Sequence, residues 1–106
     1  KNRSVFVQNK KKIVKSLLLS QNYPNPFNPK TTIEYILTEP SNVLIRIYDG
    51  LGKELLTLIN TYQTSGKHFV KWYGKDRKGN EVSSGVYIYR IDTGKFSDSK
   101  IMLLIK

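Results

Sequence analysis

Few residues in this chain could do chemistry, and their settings narrow what that chemistry could be. His68 is the single histidine. It alternates with Val70 and Trp72 on one strand face, a setting that suits a packed or edge imidazole better than a general base. No serine lies in a Gly-x-Ser-x-Gly context, so a nucleophile elbow is missing. With no cysteine and one histidine, no transition-metal cluster can be composed. Asp76, Asn80 and Glu81 stand in or beside one glycine-containing loop and offer the oxygen donors that calcium prefers. Lys75, Arg77 and Lys78 flank them and oppose a divalent ion, so the expectation is a turn in which Asp76 bonds nearby backbone amides. Trp72, Tyr73, Tyr87 and Tyr89 could stack on a sugar only if their rings faced solvent. Trp72, Tyr87 and Tyr89 instead fall at alternating positions that suit a core.

Those aromatics must be positioned by strands. Ile33, Tyr35 and Leu37 alternate with Thr32, Glu34 and Ile36, and Val43, Ile45 and Ile47 alternate with Leu44, Arg46 and Tyr48, each a half-buried strand. Turns fall at 39–42 and 49–52. Residues 54–59 fit a short helix as well as a strand, and their length favours strand. A polar loop over 60–66 leads to a strand carrying His68, Val70 and Trp72, then to a long polar turn at 74–80. Two apolar runs, Val86–Ile91 and Ile101–Ile105, flank Asp92–Gly94 and predict a closing hairpin. Before all of these, residues 17–29 hold three prolines among asparagines. Proline cannot donate to a ladder, so this stretch reads as a stiff, irregular crossing, with asparagine side chains satisfying its backbone and with Tyr23 and Phe27 plugging one end of the core. About seven short strands with no convincing helix predict an all-β fold, an antiparallel β-sandwich.

The 106 residues suffice for one ordinary domain without disulfide or metal staples. The formal charge of +10 is uneven. Residues 1–16 carry six bases and no acid, whereas the remainder holds 12 bases against 8 acids. A basic linker or arm on a mildly basic body is thus the better picture, and the case for a nucleic-acid partner is weak. No apolar run approaches the ~20 residues of a membrane span. The N-terminal sequence does not resemble a signal peptide, and the chain is expected to be the C-terminal piece of a longer precursor.

Four stretches together resemble the C-terminal sorting domain of the type IX secretion system, an Ig-like module at the end of many exported proteins of Bacteroidota. They are Asn22–Pro29 with Thr31–Ile33, Ile47–Glu54, Asp76–Ile91 and Lys100–Lys106. The likeness spans residues 17–106 in order, and the related Ig-like domain of flagellar hook-capping proteins shares its second half. One departure is Trp72-Tyr73-Gly74, where that family commonly has Trp-Asp-Gly. The fold is expected to survive this change.

The resemblance implies a non-catalytic address label with no cofactor. Its partners would be an N-terminal passenger, the outer-membrane secretion machinery and a sortase-like peptidase, and its destination the cell surface or the medium by way of the periplasm. The family's recognition elements fall here on Gly85, Val86, Tyr87 and Tyr89 and on Lys100, Met102, Leu104 and Lys106. An apolar strand flanked by lysines would offer a partner an edge to pair with. Removing Lys100–Lys106 is then expected to stop export without unfolding the body, and residues 1–16 would be a place to cut. A carbohydrate-binding or structural accessory module is the alternative.

Overall fold

The structure is a computed structural model that describes residues 17–106; the expectations for segment 1–16 lie outside the described residues. Seven strands follow in order: β1 (Leu17–Leu19), β2 (Thr31–Leu37), β3 (Ser41–Asp49), β4 (Glu54–Gln63), β5 (Gly66–Trp72), β6 (Gly85–Asp92) and β7 (Ser97–Leu104). They form two antiparallel sheets, β1-β2-β5 and β4-β3-β6-β7, with no helix among the described residues. This is the expected sandwich.

Period-two alternation places the core. Ile33, Tyr35 and Leu37 of β2 and Trp72 of β5 face Val43, Ile45 and Ile47 of β3, Tyr87, Tyr89 and Ile91 of β6, and Met102 and Leu104 of β7. Phe27 completes this cluster from outside the strands. Burying a side chain of this size contributes about 1.5–3 kcal/mol, which explains why the pattern dictates the register.

Several boundaries differ from expectation: β3 begins at Ser41, inside the expected turn over 39–42, and β7 begins at Ser97, four residues before the apolar run that marked it. Leu17–Leu19 pairs with Leu37–Tyr35 as an edge strand, with Leu17 buried, and the irregular crossing begins only at Ser20. β4 runs on to Gln63, so the expected loop over 60–66 shrinks to Thr64 and Ser65. Its partner β3 is continuous along this length, and regular pairing from Ile45↔Ile59 to Ser41↔Gln63 carries the polar residues Asn60 and Thr61 into the ladder. The closing hairpin turns at 93–96, where Thr93 N–H donates to the Phe96 carbonyl, rather than at 92–94.

The crossing links the sheets. Tyr23 bridges to Thr32 of β2, and Phe27 bridges in parallel to Leu104 of β7. The peptide bonds before Pro24, Pro26 and Pro29 are cis. Asn22 is buried, and its Nδ2 donates to the Pro24 carbonyl and to Thr31 Oγ1. That bears out the expected role of asparagine in satisfying this segment. Of the two rings expected to plug the core, only Phe27 does so. Tyr23 is 80% exposed, because its bridge to Thr32 turns its side chain to the outer face.

Candidate functional site

Strand directions gather all four resemblance-bearing stretches at one end of the sandwich. β2, β4 and β6 start there and β3, β5 and β7 finish there, so the crossing 20–30, the loop 50–53, the loop 73–84 and residues 105–106 meet. Beneath them lie three rings. Phe27 and Trp72 have centroids 5.7 Å apart, and Trp72 meets Tyr87 edge-on at 5.4 Å. Such tilted contacts favour the ring quadrupoles. The polar handles are satisfied: Trp72 Nε1 donates to the Lys75 carbonyl and the Tyr87 hydroxyl to the Ser83 carbonyl. Burial pushes the Tyr87 phenol up, with Asp49 adding to the shift.

Two of these loops are built alike. Asp49 Oδ1 accepts the N–H groups of Leu51 and Lys53, and Asp76 Oδ1 accepts those of Lys78 and Asn80. In each loop the aspartate's carbonyl also accepts from the glycine three residues on, and its N–H donates to the carbonyl four residues on. Gly52 and Gly79 take φ of 89° and 87°, a region open chiefly to glycine. The loops lie side by side, joined by Arg77 Nη2 to Glu54 Oε2 at 3.7 Å, around a cleft of about 290 Å³. With Asp76 committed to two amides in this way, the expected amide-bonded turn is what the loop forms. Asp49 is likewise engaged with amides, Glu54 with Arg46 and Arg77, and Glu81 with Lys106. Four lysines at this end, Lys30, Lys53, Lys75 and Lys78, have no acidic partner among the described residues.

The residues singled out in β6 and β7 are brought together as cross-strand pairs. Gly85 faces Leu104, Tyr87 faces Met102, and Tyr89 faces Lys100. Tyr87, Tyr89, Met102 and Leu104 point inward and are buried, and the Tyr89 hydroxyl donates to the Ser20 carbonyl. Val86 points outward, 47% exposed, opposite Leu103, and Ile88 stands opposite Ile101, which is 61% exposed. Lys106 is exposed, its N–H donating to Ser84 Oγ. The alternation that assigned the inward residues also implied Ile88, Ile101 and Leu103 on the outer face beside Val86, and these three the motif alone did not single out. Leu51, 96% exposed at a loop tip, had no periodic signal at all.

Two expectations about the last strand change. Its outer edge is already covered: Phe27 N–H donates to the Leu103 carbonyl, Ile105 N–H to the Phe27 carbonyl, Leu103 N–H to Asn25 Oδ1, and Gln21 Nε2 to the Ile101 carbonyl. A partner therefore finds no open ladder from Ile101 to Ile105. Removing Lys100–Lys106 would take Met102 and Leu104 out of the core, so that deletion cannot leave the body intact. The aromatic platform is also absent. Trp72, Tyr87 and Tyr89 are core rings, and only Tyr73 of the four is exposed. His68 is half-buried, stacked on Tyr35 at 5.6 Å, with Nε2 hydrogen-bonded to the Thr64 carbonyl.

Comparison with known proteins gives the same architecture. No match was found among curated proteins. Among solved structures, the chain is similar to PorZ of Porphyromonas gingivalis, described as an essential bacterial surface component of the type-IX secretion system. Identity is 28% and the TM-score 0.57, over 81% of this chain and 11% of that one. Dimeric latent PorU of the same organism matches at 18% identity and TM-score 0.68, over 87% of this chain and 10% of that one. FlgD of P. aeruginosa matches at 21% and 0.57, over 82% and 70%. The chain thus spans about a tenth of the first two proteins, and at 18% and 21% identity the likeness shows shared fold alone. Residues 27–95 match the family model described as FlgD Ig-like domain, from Phe27 in the crossing through β6 into the closing hairpin. The chain belongs to that Ig-like family.

Proposed function

We propose that this domain is a non-catalytic sorting signal, by which a passenger on its N-terminal side is carried through the outer-membrane type IX machinery to the cell surface or medium. The observation that supports the reading most directly is the 28% identity to PorZ over 81% of this chain, confined to 11% of that larger protein. A module that recurs as a small part of a long chain suits an address better than an active centre. In this reading the machinery meets a folded domain. Val86 and Lys106 are met at its surface and the half-buried Lys100 at the margin of the inner face opposite Tyr89, while Tyr87, Tyr89, Met102 and Leu104 act by holding β6 and β7 in register, and Gly85 opens the turn into β6. A sortase-like peptidase would act upstream, within residues 1–16.

The test is a reporter fused ahead of the chain and expressed in a host with the secretion system. Surface or medium-borne reporter is the expected outcome, with none in a host lacking the translocon. A fusion that is folded and yet stays in the periplasm of the competent host would sink the reading. The family match favours a second reading, a structural assembly module of the hook-capping kind. It requires ordered self-association of the purified chain, which sedimentation would detect.

A further inference from the structure

We propose that the loop-built end, together with the outward strip of β6 and β7, is a docking surface for a protein partner presenting an apolar pocket rimmed by carboxylates. The proposal deepens the sorting reading and rests on it for where the partner is met, though not for the surface itself.

Leu51 carries the argument first. It is 96% exposed, yet its loop is fixed by the bonds from Leu51 N–H and Lys53 N–H to Asp49 Oδ1 and from Gly52 N–H to the Asp49 carbonyl. An apolar side chain held out on a rigid tip costs little ordering entropy on binding, which is what an interface anchor needs. It does not stand alone. A Cβ at Gly50 would lie 3.2 Å from the Val86 carbonyl oxygen, so the loop rests on the start of β6. Val86 continues across the strands to Leu103, and Ile88 to Ile101, giving one apolar strip from the loop tip onto the sheet face.

Charge identifies the occupant. The loops and terminus at this end carry Lys30, Lys53, Lys75, Arg77, Lys78 and Lys106 against Asp49, Glu54, Asp76 and Glu81, a positive surplus, and Lys53 and Lys78 line the cleft beside the loop that holds out Leu51. At the opposite end, Lys95 is paired with Glu39 at 3.4 Å. A second copy docked through this surface would set lysines against lysines, which disfavours it. Segment 1–16 has six bases and no acid, and the chain enters β1 at Leu17, which pairs with Leu37 at the far end. An acidic partner protein is left, with lysines steering the encounter and Leu51 anchoring it.

The direct test uses the full chain, isotopically labelled, titrated with a synthetic peptide of alternating leucine and glutamate and read by amide chemical shifts. Shifts should centre on Leu51, Lys53, Lys78, Val86 and Leu103, weaken with salt, and vanish in Leu51→Ser and in Lys53→Glu/Lys75→Glu/Lys78→Glu. The control Lys67→Glu/Lys71→Glu/Lys95→Glu has the same net charge and should bind as the parent does, with thermal melts confirming that every variant folds. Equal loss in the control, or shifts produced by phosphatidylglycerol vesicles and not by the peptide, overturns the proposal. In the reporter assay the first triple variant should lower export at least about tenfold. Normal export of that variant from an otherwise exporting fusion overturns the docking surface and leaves the sorting reading standing. Specific peptide shifts with no export even of the parent keep the surface and remove the sorting reading.

Discussion

Asp49 and Asp76 each organise a pentapeptide with one carboxylate oxygen, and the Asp-x-x-Gly-x spelling of both loops is visible in the sequence once the bonds are known. The amide-bonding role of Asp76 is legible from residue types alone, because a short acid in a glycine-containing turn has few better partners. Residue types could not show that the two loops are neighbours, since nothing local links residue 54 to residue 77. Asp76→Ala, which leaves the Lys78 and Asn80 amides to solvent, is expected to lower stability by about 1 kcal/mol, measured by urea denaturation. Around Trp72 the chemistry differs sharply from one residue to the next. Trp72→Ala removes a core ring and a hydrogen bond and should cost about 3–5 kcal/mol. Tyr73→Asp, restoring the sorting family's usual residue at an exposed position, should change stability by no more than about 0.5 kcal/mol. Gly74→Ala meets two obstacles at once, a φ of 72° and a carbonyl oxygen of Pro29 that would lie 3.3 Å from the new Cβ. It should cost about 1–3 kcal/mol.

At the scale of the strand, β4 explains why its own sequence was ambiguous. Ile45 pairs with Ile59, Arg46 with Thr57, Ile47 with Leu56 and Tyr48 with Glu54, so Leu55 and Leu58 are the extra residues of two bulges. Two insertions in a period-two strand space Leu55, Leu56, Leu58 and Ile59 as a helix would, and only the neighbouring ladder distinguishes the two. β7 shows the opposite case. Its alternation was legible, but the cover on its outer edge was not, because prolines advertise that a segment leaves a ladder and say nothing of which edge it protects. The consequence is testable. Truncation after Ser99 removes Met102 and Leu104, each worth about 2–5 kcal/mol, against a total stability of about 5–15 kcal/mol for a domain of this kind. The truncated chain should lose its cooperative melt, whereas Ile101→Ser, outside the core, should keep it. A truncated chain that melts like the parent would show that β7 contributes nothing to the fold.

At the scale of the whole molecule, the core is tied together by tyrosines that reach from one region to another. Tyr35 of β2 donates to Gln63 Oε1 at the end of β4, and Tyr89 of β6 donates to the Ser20 carbonyl where the crossing begins. The sequence placed these rings inside; their long-range partners required the topology. Burial pushes the Tyr89 phenol up to about 12 and raises that of Tyr35, since a phenolate loses its water there. The sign follows from proton binding. The folded state holds these protons more tightly than the unfolded chain, whose tyrosines ionise near ~10, so their contribution is complete below about pH 10 and falls as pH rises toward about 12. The denaturation midpoint should therefore drop steeply across that window. Tyr89→Phe loses the bond to Ser20 and should be weaker at neutral pH by about 1 kcal/mol, yet its alkaline decline should be shallower, because one of the protons linked to folding is gone. A parent and a Tyr89→Phe variant whose midpoints fall in parallel above pH 10 would mean that the Tyr89 phenol is not what couples this sandwich to pH.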